Sequence, residues 1–180
     1  MKKVIFAFLL VIAFSCRNSL REAQHMHKAS FSQEEKTLLK VARKIIKNAY
    51  FGTLITLDKK GHPRARVMEP FEPDENFEIW LATQPKSRKV IQIKNNATAT
   101  LHYFDKMNMG YVSLMGNAYL VNDNAVKHEK WKKGWERFYK NRDEDYMLIR
   151  FVPETLELIS IPDGFTGDSI TWKPHSVSFR

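Results

Sequence analysis

The sequence contains a single cysteine, Cys16, among its 180 residues. A disulfide within one chain needs two cysteines, so none can stabilise this fold. The sequence also lacks a glycine-rich nucleotide loop, a His-Glu-x-x-His zinc motif and the Gly-x-Ser-x-Gly turn of serine hydrolases. The nearest approach to a metal-ligand pair is His25 and His27, which is a weak match. The sequence therefore predicts no metal site and favours neither a hydrolase nor a metalloenzyme.

Long hydrophobic runs are also missing. The apolar segment at residues 4–14 follows two lysines and is too short to cross a bilayer comfortably as a helix. It leads through Ala13 and Ser15 to Cys16, an arrangement typical of a bacterial lipoprotein signal that is cleaved before a lipidated cysteine. We therefore expect a signal peptide at residues 1–15 and lipidation of Cys16. The alternative is an ordinary secretory signal followed by a coincidental cysteine.

Residues 16–30 are polar and have no periodic apolar face, so they are predicted to form a flexible tether. The whole protein is then expected to be an exported lipoprotein, anchored to a membrane of a bacterial envelope on the periplasmic side. Acidic residues are the minority, with 20 Asp and Glu against 29 Lys and Arg and a formal net charge of +9. This balance favours anionic ligands and anionic membrane surfaces. Nucleic acid is not an expected partner of an exported protein.

A basic segment after Thr83-Gln84-Pro85 is the strongest local signal for a binding site. Its sequence is Lys86-Ser87-Arg88-Lys89, and Pro85 suits the first position of a helix. Free N–H groups of a first helical turn, a serine hydroxyl and cations together favour a phosphate. The alternative interpretation is a solvated basic helix start with no ligand.

The motif Thr83-Gln84-Pro85-Lys86-Ser87-Arg88-Lys89 resembles the Thr-x-x-x-Ser-Arg-Lys motif of the pyridoxamine 5′-phosphate oxidase family. Residues 61–68, 95–104 and 111–118 are similar, in the same order, to three strands of that family. The similarity runs from about residue 49 to residue 159 and is closest to the short general-stress-protein branch of the FMN-binding split barrels. It implies an α+β, mainly β fold, namely a six-stranded antiparallel split β-barrel with peripheral helices at residues 31–161. Residues 162–180 are expected to form an irregular tail.

The same resemblance implies a homodimer that holds FMN noncovalently between its subunits. The phosphate would be held by Arg66, Ser87, Arg88 and Lys89. The flavin ring would lie against main chain at Val67, Met68, Ala82 and Thr83. Tyr111 stands where the family has a glutamine on its long strand, and Trp172 is a candidate to reach the flavin from the tail. No residue is identified as a catalytic acid or base.

Two departures from the oxidase argue against vitamin oxidation. The aromatic-arginine C-terminal segment that grips the vitamin phosphate is missing, and a lysine after the arginine strand is replaced by Glu69-Pro70-Phe71. We therefore expect an FMN-dependent oxidoreductase that acts on a small substrate at the cell envelope, and not a true pyridoxamine-phosphate oxidase. The alternatives are a non-catalytic flavin or haem binding or sensing lipoprotein, and an anchored scaffold.

Local patterns predict several elements. Ser32 and Glu35 fit a capping box that begins an amphipathic helix, and Gly116 inside a strand suggests a bulge. One helix is expected from residue 122 to about residue 140, with Trp131, Trp135 and Phe138 as a stripe that docks on the barrel or lies on a membrane. His102 is expected to be a hydrogen-bonded barrel histidine rather than a cofactor ligand.

Overall fold

The computed structural model describes residues 31–179. The predicted signal peptide, Cys16 and the tether therefore lie outside the described residues. Residues Ser32–Phe179 form one compact unit. Within it, three α-helices and seven strands follow one another along the chain. They are β1 (Gly52–Leu57), β2 (Pro63–Met68), β3 (Ile79–Thr83), β4 (Thr98–Asp105), β5 (Gly110–Val121), β6 (Met147–Ile159) and β7 (His175–Ser178), with α1 (Gln33–Ala49), α2 (Arg88–Asn95) and α3 (Asn124–Glu129).

The described strands form one antiparallel sheet with the order β2-β1-β4-β5-β6-β3, and β7 pairs with β6 outside this path. The predicted α+β, mainly β class is confirmed. The predicted count of six is wrong, because the sheet has seven strands and is not closed. The expectation of an irregular tail missed β7, whose buried Val177 pairs with Leu156. This strand has only one buried apolar residue, so backbone pairing rather than a hydrophobic pattern defines it.

Helix α1 begins at the predicted capping box. Glu35 Oε2 accepts a hydrogen bond from the Ser32 N–H across 2.8 Å, and Ser32 Oγ accepts one from the Glu35 N–H across 3.2 Å. The buried face of α1 includes Leu38, Val41, Ala42, Ile45 and Ile46, which cover one side of the sheet at β4 and β5. The helix thereby closes the core on that side.

Gly116 lies at a bulge, as predicted. The register between β5 and β6 shifts between Met115 and Gly116. A Cβ atom at Gly116 would lie 2.1 Å from the carbonyl oxygen of Val152, a distance that no side chain can occupy. Only glycine therefore permits this approach of β5 to β6, and such bulges bend long strands.

The segment between β5 and β6 is not the single helix that the sequence predicts. Helix α3 ends at Glu129, Gly134 adopts φ 93° in the left-handed region, and a 3₁₀ turn spans Trp135–Arg137. This break lets the aromatic side chains face one another instead of forming a stripe. The resulting aromatic cluster consists of Trp131, Trp135, Tyr139 and Tyr146.

The aromatic cluster docks on the sheet at β3 and β6, where it contacts Ala82 and Leu148. The predicted docking of Trp131 and Trp135 is thus confirmed. Phe138, the third member of the predicted stripe, stays largely exposed. Among the helices of residues 31–179, none has the length and apolar character needed to cross a membrane.

Candidate anion site and adjoining cavity

Thr83, Ser87 and Lys89 meet where β3 leads into α2. Thr83 ends β3 and is buried, and Ser87 is the N-cap residue of α2. The Oγ atoms of Thr83 and Ser87 lie 2.9 Å apart, and Lys89 Nζ donates to Thr83 Oγ1 across 3.1 Å. The Ser87 hydroxyl makes no side-chain cap to α2. Its main-chain N–H instead donates to the Gln84 carbonyl, so Pro85 lies in a turn before the helix and not at its first position as expected.

Arg66 approaches this site from β2. One guanidinium nitrogen donates to the Leu54 carbonyl across 3.2 Å and to Thr56 Oγ1 across 2.7 Å. The other donates to Gln92 Oε1, on α2, across 2.8 Å. These contacts hold Arg66 between β1 and α2. All of them are to uncharged oxygens.

Three cations therefore stand together without a carboxylate. Burial lowers the pKa of the half-buried Arg66, and the nearby Arg88 lowers it further. Burial also lowers the pKa of Lys89, with added repulsion from Arg66 and Arg88. Among residues 31–179, none of the three forms an ion pair with Asp or Glu. Such an uncompensated group of cations is the electrostatic pattern of an anion site.

A cavity of about 470 Å³ lies beside these residues. We call it the motif cavity. Its wall includes six residues that the sequence marked for flavin binding, and these are Val67, Met68, Ala82, Thr83, Ser87 and Lys89. The structure thus brings the β2, β3 and α2 parts of the predicted site into one space.

The other predicted residues lie elsewhere in the single chain. Arg88 follows Ser87 but is exposed and lines a second groove, together with Arg64, rather than the motif cavity. Tyr111 lies on β5, with its ring 5.6 Å from that of His102. Trp172 is 78% exposed. Neither Tyr111 nor Trp172 lines the motif cavity. His102 Nδ1 lies 2.9 Å from Ser113 Oγ, which confirms the hydrogen-bonded interpretation.

Sequence reasoning missed the opposite wall of the motif cavity. Glu69 lies there and accepts hydrogen bonds from the Tyr50 hydroxyl at 2.7 Å, from Trp135 Nε1 at 3.1 Å and from Lys132 Nζ at 3.3 Å. Burial alone would raise the pKa of this carboxyl, but its three partners together lower it below the ordinary value. The remaining wall consists of Phe51, Gln84, Trp135, Phe138 and Tyr139. A glutamate in place of a family lysine was the one visible signal for this wall.

The described residues include no group of three His, Cys, Asp or Glu side chains placed to hold a metal ion. The site therefore consists of a cation group, hydroxyls and a partly aromatic cavity. In chemical terms it suits a ligand that is anionic at one end and planar or apolar at the other.

Together these features define an open antiparallel barrel-type sheet with a candidate anion site at its β3–α2 junction. The family described as "Pyridoxamine 5′-phosphate oxidase like" matches residues 37–164. The chain belongs to this family.

Solved structures share the fold at low sequence identity. General stress protein 26 from Bacillus anthracis str. Sterne is 24% identical with a TM-score of 0.62, and the match covers 78% of this chain and 98% of that one. A Clostridium acetobutylicum protein related to general stress protein 26 is 22% identical with a TM-score of 0.66, and the match covers 80% of this chain and 95% of that one. A pyridoxamine 5′-phosphate oxidase-related, FMN-binding protein from Nostoc punctiforme is 13% identical with a TM-score of 0.55, and the match covers 83% of this chain and 98% of that one. A comparison with curated proteins gave no match.

Proposed function

We propose that this protein binds FMN, with the phosphate at the cation group and the flavin ring in the motif cavity. The observation that carries the proposal is the group of Arg66, Arg88 and Lys89, which forms no ion pair with a carboxylate among the described residues and whose Lys89 lines that cavity. Membership of the pyridoxamine 5′-phosphate oxidase-like family supports it, as does the likeness to an FMN-binding protein.

The residues present fit FMN. Lys89 and the two arginines would neutralise the phosphate, and the Ser87 hydroxyl would add a hydrogen bond of a kind that phosphates accept. The main chain at Val67, Met68, Ala82 and Thr83 would position the ring, and the aromatic wall would keep water from it. Bound FMN would supply hydride or electron transfer, which is the cofactor's chemistry rather than that of a side chain.

On this basis the function is that of a flavin-dependent oxidoreductase acting on a small substrate at the cell envelope. The second candidate is a non-catalytic flavin or haem binding protein. Haem iron is commonly held by an imidazole or a thiolate, and the described lining of the motif cavity contains neither histidine nor cysteine. That lining favours flavin over haem, while enzyme and carrier both remain compatible with it.

The proposed site includes a second copy of the chain. Val67, on the edge strand β2 and in the wall of the motif cavity, is 71% exposed. A homodimer would cover this edge. It would also give Tyr111 and Trp172 a route to the flavin of the other subunit, since neither lines the cavity of its own chain. The lipid anchor at Cys16 is proposed on the sequence pattern alone, and it would hold the dimer at the membrane.

A spectrum of the purified full-length protein tests the proposal. Flavin absorbance that stays with the protein through gel filtration is the expected result, and a Soret band in its place would identify haem. Steady oxidation of NADH or NADPH would then separate an enzyme from a carrier. A colourless protein that fails to bind added FMN would reject the proposed function.

A further inference from the structure

A second cavity of about 590 Å³ lies on the other side of the Glu69-Pro70 segment. It opens between α1 and the lysines that follow α3. Its walls include the rings of Tyr50, Phe71, Trp80 and Tyr103, and its rim includes Lys130 and Lys132. We call it the Tyr103 cavity. Its volume is in the range of small-molecule sites.

The hydroxyl of Tyr103 is the unusual group in this cavity. The Tyr103 side chain is 1% exposed, and its oxygen is a buried polar atom without a hydrogen-bond partner in the described part of the chain. Gly52 leaves room for this ring, because a Cβ atom there would lie 2.8 Å from Tyr103 Cε1. Buried hydroxyls are almost always hydrogen-bonded, since an unpaired one is unfavourable. An unpaired donor in the wall of a cavity therefore indicates a missing acceptor.

The surroundings restrict what that acceptor can be. Burial strongly raises the pKa of Tyr103, so the group remains a neutral O–H donor. The rim lysines are already occupied: Lys132 Nζ donates to the Pro70 carbonyl across 2.6 Å, and Lys130 Nζ lies 2.9 Å from Glu129. Lys47 also lines the cavity, but so do the carboxylates of Glu72 and Asp74. A carboxylate ligand would therefore meet two like charges, whereas an uncharged carbonyl would not.

The walls favour a flat ligand. The Lys132 ammonium lies 5.0 Å from the centre of the Phe71 ring, and Lys130 lies 5.8 Å from that of Trp80. These contacts help to hold the aromatic side chains in place around the cavity. We propose that the Tyr103 cavity is a second ligand site, which takes a planar aromatic compound whose neutral carbonyl accepts a hydrogen bond from Tyr103.

This site is separate from the proposed FMN site. Glu69 lies in the wall of the motif cavity, whereas its partners Tyr50 and Lys132 line the Tyr103 cavity. The Glu69 carboxylate thus stands between the two spaces. A ligand of the Tyr103 cavity should bind whether or not FMN is present, so this inference does not depend on the proposed function.

Coumarin and naphthalene are suitable probes, because both are planar and uncharged but only coumarin has a carbonyl. Calorimetric titration of the full-length protein is expected to show binding of both. In Tyr103→Phe, coumarin should bind about fivefold more weakly, the usual effect of one neutral hydrogen bond, while naphthalene binding is unchanged. Tyr119→Phe, an exposed tyrosine that does not line this cavity, is the matched control and should alter neither.

The outcomes are distinct. Absence of coumarin binding up to about 1 mM, where association is worth only about 4 kcal/mol, would overturn the site. Equal coumarin affinity in Tyr103→Phe and the parent would overturn the role of the hydroxyl, and so would a Tyr103→Phe protein that fails to fold. Competition between coumarin and FMN would place the probe in the motif cavity and overturn the separate site. Failure to bind FMN leaves these measurements unaffected and bears only on the proposed function.

Discussion

Lys89 Nζ donates a hydrogen bond to Thr83 Oγ1 across 3.1 Å and thereby ties the first turn of α2 to the end of β3. The bond positions a half-buried ammonium but does not neutralise it. Arg66 and Arg88 add repulsion. The charge of Lys89 is therefore better compensated by an external anion than by any described residue of the chain.

Replacement of Lys89 or Arg88 by alanine is expected to weaken FMN binding by about ten- to a hundredfold each. A charge-assisted hydrogen bond is worth about 1.5–3 kcal/mol, which is the basis of this range. Fluorescence titration of the apoprotein with FMN measures the effect. Lys94→Ala removes the same charge from the last turn of α2 and is the matched control, with affinity expected to stay near that of the parent. FMN retention by the Arg88→Ala/Lys89→Ala double variant would contradict the phosphate assignment.

FMN affinity should fall as the pH rises through the pKa of Lys89. In the free protein the pKa of Lys89 is below the ordinary lysine value, and a bound phosphate would raise it. Binding is then strongest below the free pKa and weakens through the window between the free and bound values, by about tenfold per pH unit at most. Titrations in Lys89→Met should lose this slope, because methionine does not titrate. A parallel slope in parent and variant would assign the pH dependence to another group.

Tyr103→Phe is expected to stabilise the ligand-free protein. The variant removes a buried hydroxyl that has no partner, and an unsatisfied buried group costs about 1–3 kcal/mol. Tyr146→Phe should have the opposite effect, because the Tyr146 hydroxyl donates to the Lys130 carbonyl. Urea unfolding of both variants measures the two signs. A destabilised Tyr103→Phe would contradict the inference that this hydroxyl has no partner.

Cys16→Ser should prevent membrane anchoring. One acyl chain gives only marginal membrane binding, whereas the several chains of a lipidated N-terminal cysteine anchor stably. The variant is expected either in the soluble fraction or as an unprocessed precursor. Intact mass of the membrane-bound parent protein should show a lipidated N-terminus at Cys16. An unmodified Cys16 in that fraction would reject the lipoprotein interpretation.

The FMN-loaded protein should not oxidise pyridoxine phosphate efficiently. A second phosphate would need its own cations, and Arg64 is the residue to consider because it lies on the same face of β2 as Arg66. The structure pairs Arg64 with Asp58 across 2.7 Å, and the Arg64 hydrogen bonds lower the pKa of that carboxyl to about 2. Arg64 is thus already compensated. Turnover at about 1 per second, an ordinary enzyme rate, would contradict this expectation.

The motif from Thr83 to Lys89 was readable from the sequence because its contacts are local. Hydroxyls four residues apart, and a lysine two positions later, meet within one strand-to-helix turn. The capping box of α1 and the bulge at Gly116 are local in the same sense. The antiparallel split-barrel fold was expected only from the resemblance to a known family, since antiparallel pairing over long separations leaves little trace in one sequence.

The cavity wall opposite the motif was not predictable from the sequence, because its contacts join residues that are far apart in the chain. Glu69 and Trp135 are far apart in the chain, and their 3.1 Å contact depends on where the segment after β5 folds back. The spacing of Trp131, Trp135 and Phe138 suggested one continuous helix. The helix ends at Glu129, and Gly134 then turns the chain in the left-handed region before Trp135. The packing of the aromatic cluster against β3 and β6 outweighs the helical pattern.

The position of Glu69 between two cavities has a thermodynamic consequence. An occupant of either cavity that moves this carboxylate, or alters its charge, changes the environment of the other. Because binding free energies form a closed cycle, the factor by which a carbonyl ligand alters FMN affinity must equal the factor by which FMN alters that ligand's affinity. The fraction of the protein that carries flavin, measured at limiting FMN, would then report whether the Tyr103 cavity is occupied.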